Sequence, residues 1–211
     1  MKNESSEEIR KQENFGEWFF RVWTNFPLKL LGINLLFLLF CIPVVTIPAA
    51  LCGLHAAVQY YYRELYYTSA LRTFVTAFLE SFWKKTILTL GLFAIPVGII
   101  SALQNVLPGA IWIVLAAFVA AAIIVVLNWF VSQLVFLNLT PGQALRNSLI
   151  FLCIETKRNF ALIALHAVVL TVFVFGLPVT GFLLLFLPVL QTVITTGIVM
   201  PTLREKLEII E

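Results

Sequence analysis

Two histidines, His55 and His166, are the side chains best placed to do chemistry, because each falls in or beside a long apolar run where an ionisable group has few partners. A buried imidazole can relay a proton, bind a ligand or bridge two helices. His166 lies well inside its run, and with no carboxylate near it the expectation is a neutral ring bonded to a neighbouring helix. His55 precedes Gln59 by four residues, so both share one helical face. Asn34, Thr46, His55, Gln59, His166 and Gln191 are therefore the candidates to line a polar cavity or to bridge helices. Neutral polar residues also cluster at Asn128, Ser132 and Gln133, and at Gln191, Thr192, Thr195 and Thr196. Groups of this kind either bind an uncharged, hydroxyl-rich solute or hold helices together.

Other chemistry is poorly supplied. All 11 acidic residues are Glu, and they fall in the ends and the polar connections, so no intramembrane carboxylate is available for proton coupling or aspartyl proteolysis. Walker A, G-x-S-x-G and H-E-x-x-H patterns are missing. Cys41, Cys52 and Cys153 have spacings unlike C-x-x-C and read as small core filler. The expectation is a protein that is not an enzyme and has no cofactor or metal site.

The elements that must position these residues are apolar. The chain is 61% hydrophobic, with a mean hydropathy of +0.97, which leaves too little polar surface for a soluble globule. Apolar runs near the ~20 residues needed to span hydrocarbon recur without period-2 alternation. This predicts an all-α, polytopic membrane helix bundle of about six membrane helices, arranged as three hairpins with interfacial amphipathic helices. The boundaries are a polar tail at 1–14 and one membrane domain at 15–211. That domain divides into an interfacial helix at 15–27, a broken hairpin at 28–62, an amphipathic helix at 68–85 and a hairpin at 86–137. A second amphipathic helix at 142–157, a hairpin at 158–201 and a tail at 202–211 follow.

The run from Leu28 to Val58 carries Pro43 and Pro48, which a straight helix cannot accommodate. Thr46 offers an N-cap oxygen for a restarted helix with Pro48 in its first turn. Charge then decides between a kink and a reversal. If this run crosses once, the 14 Lys and Arg divide five against nine; if it doubles back, all 14 lie on one side. Excess basic charge marks the cytoplasmic face, so the reversal is favoured, with both termini cytoplasmic. The same charge near membrane segments suits lipid headgroups and not nucleic acid.

Two segments look alike at an offset of about 74 residues. Ala70-Leu71-Arg72 and Ala144-Leu145-Arg146 each lead to a Glu, then to a basic pair that opens an apolar hairpin. This pattern predicts repeated units of one orientation.

The stretch "NFPLKLLGINLLFLLFCIPVVTIPAALCGLHAA" followed by "RTFVTAFLESFWK" resembles the YesL-like family of bacterial membrane proteins, a family of unknown function. The matching features are Asn34, the Pro43 to Thr46 turn, Pro48-Ala49, and Phe74, Phe78 and Phe82, over about residues 25 to 90. The resemblance implies a multi-pass protein of the bacterial plasma membrane, often encoded beside ABC-type carbohydrate uptake systems. It suggests an accessory role with ABC transporter permease subunits as partners; the alternative, raised by the broken hairpin and the repeats, is an autonomous small-solute transporter or channel with a polar cavity near the first broken hairpin, and in either case a homo-oligomer is a further candidate assembly.

Overall fold

The computed structural model of this chain describes residues 15–25, 27–62, 69–104, 106, 109–137, 139–176 and 186–208. The expected tail 1–14, the connection 63–68, the segment 177–185 and the last residues 209–211 lie outside the described residues. The regular elements described are all helical: α1 (Phe15–Asn25), α2 (Pro27–Phe40), α3 (Ile47–Tyr62), α4 (Ala70–Leu79), α5 (Phe82–Leu103), α6 (Gly109–Phe136), α7 (Pro141–Ile154), α8 (Thr156–Gly176) and α9 (Leu187–Glu208).

Among the described residues, α5 and α6 are long and apolar enough to cross a membrane, yet only 11% and 17% of their most apolar windows is buried. The core helix of a soluble protein would be covered on most sides. Here Ile95, Ile99, Ile113, Val114 and Phe118 stand exposed on the distal halves of the two helices, a surface that suits lipid better than water. Trp112 Nε1 donates to the Ile100 carbonyl at 3.0 Å and ties those halves together.

The break between α2 and α3 falls at the two prolines, where a short 3₁₀ turn (Val44–Thr46) intervenes. Thr46 does not cap α3 as its spacing suggests. Its hydroxyl donates backwards, to the Phe40 carbonyl and to the Pro43 carbonyl at 2.5 Å. These acceptors include a carbonyl left without a helical partner at the end of α2, which is the more urgent need beside an apolar environment.

From the break, α3 runs through the centre. It packs on α2, α4, α5, α6 and α9, and Ala49, Ala50, Cys52, Leu54, Ala57 and Val58 are buried. Small residues allow the neighbours to approach closely. At Gly53 the approach is limiting, since a Cβ there would lie 3.0 Å from the Phe74 carbonyl oxygen. Phe40, Phe74, Phe78 and Phe82 continue this contact as a chain of tilted, edge-on and stacked rings. The expected interfacial helices also serve as packing elements: Val22 of α1 and Phe74 and Phe78 of α4 sit in the core cluster with Leu30, Leu54 and Val189.

The similarity at an offset of about 74 residues has a structural counterpart. α4 packs on α3 and leads through a tight turn into α5; α7 packs on α6 and leads likewise into α8. In the first unit Lys85 Nζ donates to the Ala77 carbonyl at 3.0 Å, eight positions back. In the second, Asn159 Nδ2 donates to the Phe151 carbonyl at 3.1 Å, also eight positions back, and to Leu152 at 2.9 Å. Each donor sits in the first turn of the incoming helix and bonds carbonyls in the last turn of the outgoing one. The backbone bonds Lys85 N to Ser81 O and Asn159 N to Glu155 O repeat as well. Ser81 takes the left-handed conformation (φ 51°) that ends α4.

Candidate functional site

A cavity of about 210 Å³ opens where α2, α3, α6, α8 and α9 meet. Helical spacing accounts for its wall. Leu51, Leu54 and His55 fall on one face of α3; Leu127, Asn128 and Val131 on one face of α6; Pro188, Gln191, Thr192 and Thr195 on one face of α9. Phe37 and His166 complete it from α2 and α8. No carboxylate or cysteine is part of this lining.

His166 anchors three of the helices. Its Nδ1 lies 2.8 Å from the Leu162 carbonyl, which can only accept, so Nδ1 carries the proton. Nε2 is then the acceptor. Asn128 Nδ2 reaches it at 3.3 Å while giving its other hydrogen to the Ile124 carbonyl at 2.7 Å. Gln191 Nε2 reaches the same lone pair at 2.7 Å. The network thus assigns a neutral imidazole, and both amides turn their amino ends toward it.

His55 and Thr195 differ. His55 is 5% exposed and Thr195 fully buried, and neither His55 Nδ1 nor Thr195 Oγ1 has a hydrogen-bond partner among the described residues. A buried polar atom left unpaired costs about 1–3 kcal/mol. Both residues line the cavity, His55 from α3 and Thr195 from α9, and together they suit it to a polar occupant. The volume equals that of about seven water molecules at ~30 Å³ each.

The structure brings His55, His166 and Gln191 together, and separates the other three sequence candidates from the cavity lining. Asn34, fully buried on α2, accepts from the Val189 N–H at 3.0 Å and so caps the start of α9 from a different helix. Thr46 closes the α2–α3 break. Gln59 is buried one turn beyond His55, away from the lining. Asn128, Thr192 and Thr195 enter the site instead. Their only signal in the sequence is a polar side chain within an apolar run. A second polar network lies apart from the cavity: Trp129 Nε1 donates to Asn159 Oδ1 at 2.9 Å, and Gln133 Nε2 to Ser148 Oγ at 3.1 Å.

In chemical terms, the cavity offers hydrogen-bond donors and acceptors in an apolar frame with no formal charge. A family model described as a protein of unknown function, DUF624, matches residues 30–103, the stretch from α2 to the end of α5. This match is consistent with the resemblance carried by residues 25 to 90. No curated protein and no solved structure matches the chain.

Proposed function

We propose that this chain is a multi-pass protein of a bacterial plasma membrane, with six membrane helices in three hairpins and both termini cytoplasmic, that binds and passes a small uncharged polar solute. One observation carries the reading: a membrane-apolar helix bundle encloses a cavity with two fully buried, unpartnered polar atoms, His55 Nδ1 and Thr195 Oγ1. The 14 basic residues fall on one side in this arrangement, which supports the orientation. The bacterial setting rests on the resemblance alone.

The test has two parts. Single cysteines introduced near the N-terminus and at Tyr67 are labelled in intact cells with an impermeant maleimide; the reading expects neither to react. Purified protein in liposomes is then assayed for osmotic swelling with small neutral solutes, and His55→Phe is expected to abolish any swelling. A second reading, an accessory subunit of an ABC-type carbohydrate permease, is favoured by the exposed apolar residues Leu71, Leu79, Leu149 and Ile154 on α4 and α7. Stoichiometric recovery of permease subunits after mild-detergent purification, with no swelling in liposomes, would establish that reading instead; recovery with itself alone would indicate a homo-oligomer.

A further inference from the structure

We infer that the cavity selects solutes rich in hydroxyl donors, of the small polyol class, and that His166 sets this preference as a positioning residue, acting through the amides of Asn128 and Gln191. The inference rests on the proposed solute-binding reading. Because His166 Nε2 takes the amino ends of Asn128 and Gln191, the carbonyl ends of both amides are left over. No donor among the described residues reaches Asn128 Oδ1 or Gln191 Oε1. Both residues line the cavity, so its polar wall is weighted toward acceptors. An amide left unconstrained would present either end.

The remaining groups narrow the class. His55, in either tautomer, and Thr195 can each both donate and accept and so tolerate a hydroxyl group, while the Asn128 and Gln191 carbonyls, which only accept, find a donor in a hydroxyl group and none in an ether oxygen. Leu51, Leu54, Leu127 and Val131 supply apolar surface for the C–H faces of such a molecule. An anion finds no support at the start of α9, because Pro188 lacks an N–H and the Val189 N–H is already taken by Asn34. A cation finds no carboxylate in the lining.

The experiment uses the full chain in nanodiscs and measures equilibrium binding of radiolabelled meso-erythritol, with unlabelled erythritol, its tetramethyl ether, inorganic phosphate and potassium as competitors. Saturable binding is expected, with the ether at least tenfold weaker than erythritol and neither ion competing. Thr195→Val, which replaces an unpartnered hydroxyl with a methyl of the same shape, is expected to weaken erythritol at least tenfold. His166→Leu is expected to reduce the discrimination between erythritol and ether to below threefold. That loss of selectivity would not follow if the ring only held helices together.

Equal competition by the ether, or competition by phosphate or potassium, overturns the inference. So does unchanged selectivity in a folded His166→Leu variant. A thiol placed by Thr195→Cys separates the two levels of the argument. If it reacts with methyl methanethiosulfonate while erythritol fails to bind, the polyol assignment falls and the solute cavity stands. If it is inert and nothing binds, both fall.

Discussion

Asn159→Ala offers the sharpest test of how the second unit is held. The Asn159 side chain is 6% exposed and makes three hydrogen bonds: one from Trp129 Nε1 at 2.9 Å, and one each to the carbonyls of Phe151 at 3.1 Å and Leu152 at 2.9 Å. The variant removes all three. The Phe151 carbonyl keeps the Glu155 N–H at 3.0 Å, so two groups are orphaned, the indole of a fully buried Trp and one carbonyl at the end of α7. At about 1–3 kcal/mol for each buried unsatisfied group, tempered by the smaller values measured between membrane helices, the loss is about 3 kcal/mol. For a chain of this length that corresponds to a fall in Tm of roughly 6–12 °C. Thermal unfolding in a mild detergent, followed by far-UV circular dichroism and by Trp fluorescence, reads it directly. Lys85→Met, at the matching position of the first unit, is expected to cost less, because it removes a buried charge along with its single bond. An Asn159→Ala protein within about 1 °C of wild type, a shift worth under ~0.5 kcal/mol, would refute the clasp as a stabilising device.

Other expectations follow from single contacts. Gly53→Ala forces a methyl group against the Phe74 carbonyl and ring and should destabilise by about 1–3 kcal/mol, whereas Gly98→Ala, with open space around it, should be neutral or stabilising by about 0.5–1 kcal/mol; paired unfolding curves decide. Thr195→Val removes an unpartnered buried hydroxyl and should raise the stability of the empty protein by about 1 kcal/mol, so a fall in Tm would indicate that the hydroxyl has a structural partner. Asn34→Leu strips the cap from the start of α9 and should cost about 1–2 kcal/mol, with protease sensitivity rising first near residues 186–190.

Which features were legible in the sequence depended on the range of the interaction that produced them. Apolar length made the helices readable, and Pro43 with Pro48 located the break, because both act through the local backbone. Thr46 was readable as a terminus residue but not in its direction, since its hydroxyl can serve the helix on either side. Asn34 demanded a partner as a polar group in an apolar helix; that the partner is the Val189 amide, 155 positions away, depends on packing alone. The apolar faces of α1 and α4 carry the same periodicity whether they meet lipid or protein, so the sequence could not decide that they pack on the core. His55, His166 and Gln191 stood out by type, but Asn128 and Thr195 join them only because α6 and α9 turn those faces toward α3.

The contact between Asn34 and Val189 also imposes an order on assembly. α9 brings Gln191, Thr192 and Thr195 to the cavity wall along with the Val189 N–H from which Asn34 accepts. Before α9 packs against α2 and α3, Asn34 lacks the Val189 N–H and the cavity lacks one of its walls.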